Sequence, residues 1–162
     1  MIDTATDDAR ARLGTALGAR RWVDEVASGG PYRTLDELVA AGERAAASLT
    51  DAELDEAVAH HPRIGQQATG EGTSSQLSAG EQAGLGAKDE GVDAAIARGN
   101  AVYEGRFGRV FLIRAAGRSR QEVLDELQRR LKNDDATEAA EAKEQLRQIA
   151  SLRLAALFEE DA

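Results

Sequence analysis

The sequence predicts an all-α protein, a single-domain bundle of about seven or eight helices. Three observations lead there. Only 2 prolines occur in 162 residues, and Ala, Leu, Glu and Arg, all good helix formers, are abundant. Apolar residues recur at helical rather than alternating spacing in most segments. The pattern Ser/Thr-x-x-Glu, which ties down the first turn of a helix, recurs at Thr34–Glu37, Thr50–Glu53, Ser78–Glu81 and Ser119–Glu122. The length suits one domain spanning residues 1–162.

Residues 5–28 read as helical, with a break around Gly18 and Trp22 on the second part. Gly29-Gly30-Pro31 is a turn. Thr34 opens a helix that continues through Leu35, Leu38 and Val39. Thr50 opens the next, over 51–59, which runs into His61 before Pro62. Residues 64–77 hold three glycines, several Ser, Thr and Gln and almost nothing apolar, and read as a loop long enough to be functional. Ser78 then opens a long helical stretch to about Gly105. Between glycines, Val110-Phe111-Leu112-Ile113 suits either a helix turn or an extended connector. Ser119 caps a helix with Val123, Leu124, Leu127 and Leu131 on one side, and Asn133-Asp134-Asp135 breaks it. The last helix runs from about Thr137 to Phe158. No internal repeat or sustained heptad is visible.

Composition narrows the function. There is no cysteine, which removes disulfides, thiolate metal sites and a cysteine nucleophile and suits a cytoplasmic protein. A net charge of −9 argues against nucleic acid or an anionic membrane surface as a partner. No signal peptide or membrane-spanning run is expected, and no lipidation signal.

Both histidines of the chain are adjacent, at His60 and His61. Proline disfavours the helical conformation in the residue before it, so His61 should stand at a helix end, fixed in direction. Histidine is also the side chain whose ordinary titration lies near neutrality. In the last helix, Arg153 shares a stripe with Leu146, Ile149, Ala150 and Leu157. Glu81 shares one with Leu85, Val92, Ile96 and Tyr103, and His61 aligns with Leu54 and Val58. A base, an acid and a guanidinium on faces expected to be buried suit a site for a small anionic substrate. Each has a plainer reading: Ser78–Glu81 as a capping box only, His61 as a satisfied helix-end residue, Arg153 as a snorkelling or interface cation. Adjacent histidines point about 100° apart on a helix, so a metal site is not expected.

These residues carry a family pattern. His61-Pro62-Arg63-Ile64-Gly65, Ser78-x-x-Glu81-Gln82-x-Gly84-Leu85, Asn100-x-x-Tyr103-x-x-Arg106-Phe107-Gly108, Phe111-x-Ile113-x-x-x-Gly117-Arg118-Ser119, Arg130-Leu131-x-Asn133-Asp134 and Ile149-x-x-x-Arg153-Leu154 follow one another in the order seen in OHCU decarboxylases. (OHCU is 2-oxo-4-hydroxy-4-carboxy-5-ureidoimidazoline.) The chain resembles that family over most of its length. Trp22 and Pro31-Tyr32 match loosely, and Arg109 stands where the family often has a small or apolar residue. The resemblance implies an all-α homodimer that decarboxylates OHCU to (S)-allantoin in urate degradation, with no cofactor. It also implies His61 as catalytic histidine, Glu81 as catalytic acid and Arg153 as substrate-binding arginine. Ser78 and Gln82, with the backbone at Pro62 and from Phe111 to Ile113, would bind substrate. The competing expectations are a non-catalytic all-α binding domain and a lyase acting on a related cyclic ureide.

Overall fold

A computed structural model describes residues 1–65 and 73–162. Among the described residues it contains eight α-helices, a 3-10 turn at Glu159–Asp161 and no strand, so the all-α expectation holds. Contacts group the chain into two compact units. The first is Met1–Ala57 with Lys143–Ala162, and the second is Val58–Ala142.

In the first unit, α1 (Asp7–Ala16), α2 (Arg20–Ser28) and α3 (Leu35–Ala46) follow one another, α1 packing on α2 and α2 on α3. The break at Gly18 is therefore real. Thr6 Oγ1 accepts from Ala9 N at 3.1 Å and starts α1. Thr34 Oγ1 accepts from Glu37 N at 3.2 Å, while the Glu37 carboxylate reaches back to Arg33 N at 2.9 Å. The box is complete at Thr50 and Glu53, whose side chains and amides bond reciprocally at 3.1 and 3.3 Å and open α4 (Asp51–Val58). A single antiparallel bridge, Ile2 with Tyr32, ties the N-terminus to the turn after α2.

Trp22 is fully buried and donates its indole N–H to Gly42 O at 2.9 Å. Gly42 is small for a reason: a Cβ there would stand 2.7 Å from Leu154 and 3.1 Å from Trp22. This close approach joins α3 to the C-terminal part of α8 (Asp135–Phe158), and Arg147 pairs with Glu43 beside it at 2.9 Å.

The second unit holds α5 (Thr73–Ala83), α6 (Glu90–Phe107) and α7 (Arg120–Arg130), with α6 against α7. Its core gathers Ile64, Leu85, Ile96, Tyr103, Phe111, Ile113, Val123 and Leu127. Here the structure departs from two sequence expectations. Residues 73–77 are helical rather than loop, 64 and 65 form a turn, and 66–72 of that expected loop lie outside the described residues. The single long helix from Ser78 to Gly105 is two helices. Gly86 has φ of +91°, in the left-handed region that ends helices, and Asp89 restarts the next one by accepting from Val92 N at 3.0 Å. Ser78 is consequently not a cap, since it lies within α5. Glu81 and Ile96 belong to different helices, so the stripe that joined them does not exist as one face.

Candidate active site

α4 ends at Val58, and His61 N donates to Val58 O at 2.9 Å in a tight turn beyond it. His61 and Pro62 are half-buried, while His60 is exposed. The helical phase that aligned His61 with Leu54 and Val58 thus does not apply to it; the turn directs it. Beyond Pro62 the chain is held at three consecutive residues. Arg63 Nε pairs with Glu104 Oε1 of α6 at 2.7 Å. Asn100 Nδ2, also on α6, donates to Ile64 O at 3.0 Å, and the Ile64 side chain enters the core. Gly65 N donates to Gln82 Oε1 of α5 at 3.1 Å. The His61-Pro62 corner is therefore anchored to both α5 and α6.

Ser78, Glu81 and Gln82 fall within one turn and a half of α5. Ser78 is 3% exposed, and Glu81 and Gln82 are half-buried. The carbonyl end of Gln82 is committed to Gly65, which leaves its amide end as the part suited to a ligand. Leu85, just beyond α5, belongs to the same core cluster as Ile64, Phe111 and Ile113.

The segment after α6 is a non-helical connector, so the helix-turn alternative does not hold. Phe111, Leu112 and Ile113 are all buried. The connector lies on a polar cluster to which the sequence reading assigned no role. Arg130, 1% exposed at the end of α7, donates from Nη1 to Leu112 O at 2.7 Å and stacks over the Phe111 ring at 4.5 Å. Its Nε and Nη2 grip Glu138 at 2.9 and 2.5 Å. Glu138 is fully buried and also accepts from the Tyr103 hydroxyl at 2.5 Å and from Asn133 Nδ2 at 3.1 Å. Burial and the bond to Glu138 push the Tyr103 phenol well above its ordinary range. A usable signal existed: Val123, Leu127 and Arg130 recur at i, i+4, i+7, the same phase that singled out Arg153. Asn100 had only its place in the family pattern. Its Oδ1 is buried with no hydrogen-bond partner. A cavity of about 230 Å³ lies beside it, lined also by Arg63, Gly65 and Asp93; none of the expected site residues lines it.

In the first unit, Arg153 is 3% exposed on the expected stripe with Leu146, Ile149 and Ala150, all buried, while Leu157 is half-buried. Its Nη1 donates to Thr15 O at 3.0 Å. Thr15 is in the last turn of α1, where carbonyls have no helical partner, so Arg153 caps that helix. The arginines at 106, 118 and 120 are spent on structure: Arg106 on Leu131 O and Asn133 O, Arg118 on Arg114 O, Arg120 on Ala87 O and Asp93. Among the described residues, no helix is long and apolar enough to cross a membrane, and no three His, Asp or Glu side chains group as metal ligands.

The helical arrangement is shared with solved structures. A crystal structure of an OHCU decarboxylase in the presence of (S)-allantoin superposes with a TM-score of 0.76 at 24% identity, covering 91% of this chain and 96% of that one. An (S)-allantoin synthase superposes at 0.67 and 17% identity, over 93% of this chain and 50% of that one. These likenesses establish the fold. The family follows from sequence. The sequence model of the OHCU decarboxylase family matches residues 3–155. A 2-oxo-4-hydroxy-4-carboxy-5-ureidoimidazoline decarboxylase from Amia calva is 36% identical over 129 residues, 78% of this chain and 74% of that one. The chain belongs to the OHCU decarboxylase family.

Proposed function

We propose that this protein is a carboxy-lyase that converts OHCU to (S)-allantoin without a cofactor, and that His61 and Glu81 carry the chemistry. The observation that supports the placement is the anchored corner: Arg63, Ile64 and Gly65 are each bonded to α5 or α6, so His61 stands on fixed backbone. Such rigidity is what proton transfer at one defined atom requires.

The chemistry needs a place for the electron pair released with CO₂. The C=N bond beside the carboxyl-bearing carbon of OHCU is that place. CO₂ leaves, the pair moves into the ring, and one proton is taken up. The 4-hydroxyl loses its proton as the carbonyl of allantoin forms, and C5 gains one. In this reading His61 accepts the hydroxyl proton and relays it, and Glu81 holds the imidazole. Ser78, the amide end of Gln82 and the backbone at Pro62, Phe111 and Ile113 orient the ring. Delivery to one face of C5 sets the S configuration. Arg153 supplies a permanent cation for the substrate's anionic group. Two copies of the chain form the working dimer in the cytoplasm, and the chain acts as one domain; the family match, which spans residues 3–155 and so reaches through both compact units, supports the last point.

The test uses OHCU generated freshly from urate by a urate oxidase and a hydroxyisourate hydrolase. Accelerated loss of OHCU absorbance, with the circular dichroism of one-handed allantoin, is expected. Decay at the spontaneous rate to racemic product would move the reading to a binding domain or to another cyclic ureide.

A further inference from the structure

We propose that Arg130, clamped by Glu138, is a positioning residue that aims the Ile113 N–H at the substrate. The proposal rests on the decarboxylase reading above and adds residues to which that reading gives no role.

The peptide plane provides the link. Among the described residues the only cis peptide bond is Gly30–Pro31, so the Leu112–Ile113 bond is trans. In a planar trans peptide, a carbonyl and the following N–H point in opposite directions. Arg130 Nη1 holds Leu112 O at 2.7 Å. The Ile113 N–H therefore points away from the guanidinium. Among the described residues, no backbone–backbone hydrogen bond joins Phe111 or Ile113 to another residue. These residues are 2% and 6% exposed, and a buried peptide group needs a partner. A substrate bearing ring carbonyls and a carboxylate supplies acceptors for such an N–H.

Arg130 is itself immobilised. Glu138 holds it through two nitrogens, and Tyr103 and Asn133 hold Glu138. Phe111 is fixed from two sides, by the guanidinium at 4.5 Å and by the edge of Tyr103 at 5.1 Å. A buried ion pair is a poor stabiliser compared with apolar groups of the same volume. Direction is what it supplies and apolar groups cannot.

The variants are Arg130→Met/Glu138→Leu, which removes both charges while keeping volume, together with the milder Glu138→Gln and Tyr103→Phe. Each is examined by circular dichroism and by steady-state kinetics on fresh OHCU beside the wild type. The folded double variant is expected to lose on the order of 10-fold in kcat/KM, chiefly through a higher KM, as for one lost hydrogen bond to substrate. The single variants should move KM in the same direction by less. A merely structural role lowers the active fraction and hence kcat, with KM unchanged. Unchanged KM in the folded variants overturns the positioning role, and the two single variants decide the matter if the double variant does not fold. A wild type with no turnover of OHCU overturns the decarboxylase reading instead, and this proposal with it.

Discussion

Replacing Glu81 by Gln separates two accounts of that residue by both size and sign. As half of a capping box with Ser78, the carboxylate would secure a helix start, and its loss would cost about 0.5–2 kcal/mol. The structure places Glu81 two residues before the end of α5 (Thr73–Ala83). A negative charge in the last turn of a helix opposes the macrodipole, typically by about 0.3–1 kcal/mol. Gln has nearly the same helix propensity and keeps the length of the side chain. The helix-dipole contribution to stability is therefore neutral to favourable, up to about 1 kcal/mol. For 162 residues that is a rise in Tm of no more than about 4 °C. Activity should move the other way. With Glu81 holding His61, kcat should fall by about 10²-fold, the lower end of what general acid–base catalysis contributes. Thermal melts followed by circular dichroism and the OHCU decay assay give both numbers on one preparation. A lowered Tm, about 1–8 °C for a lost cap, with activity lost only in proportion to unfolded protein, would refute this placement and restore the cap.

Other consequences are as direct. Gly42→Ala should destabilise by about 1–3 kcal/mol in a denaturant titration, because the added Cβ stands 2.7 Å from Leu154 and 3.1 Å from buried Trp22. Bonds to Arg147 hold the Glu144 carboxyl down at about 2, and bonds to Arg129 hold Glu126 and Glu141 below the usual carboxylate range. Since these folded-state values lie below the unfolded ones, the stability they supply is complete above about pH 4.5 and is lost as the pH falls toward 2. Melts at stepped pH should show Tm level from pH 7 to 5 and falling below that. Burial raises both tyrosines, Tyr32 and Tyr103, above the ordinary phenol value. A spectrophotometric titration should therefore show less phenolate at pH 10 than two ordinary phenols give, until the protein unfolds, whereas a normal phenol curve in the folded protein would contradict the burial of both.

Much of the fold was legible because local signals coincide with the elements. Thr34, Thr50 and Ser119 do cap helices, and the Arg153 stripe is buried along most of its length. The misreading at Ser78 has a physical cause. Ser-x-x-Glu marks a helix start only where the chain before it is not helical, and the residues from Thr73 on are helical despite having almost no apolar pattern. Joining α5 to α6 erred for a related reason. Spacing continued through Leu85, but the positive φ at Gly86 is a backbone property that apolar periodicity does not register. Among the expected site residues, His61, Glu81 and Arg153 stood out as ionisable residues near apolar ones. The anchors of the His61 corner did not, because Arg63–Glu104 and Asn100–Ile64 join residues about forty positions apart. Arg130 was visible by helical phase, but its partners Leu112 and Glu138 come from other elements, so only the folded chain reveals what it holds.

The most direct test of the central claim compares His61→Asn with the wild type on freshly generated OHCU, with circular dichroism recording both the fold and the handedness of the allantoin. Asn preserves a polar side chain of similar reach but cannot relay a proton near neutrality. The account predicts a folded protein whose rate falls by about 10²–10⁴-fold, toward spontaneous decay and racemic product. A folded His61→Asn that still makes (S)-allantoin at the wild-type rate would contradict it.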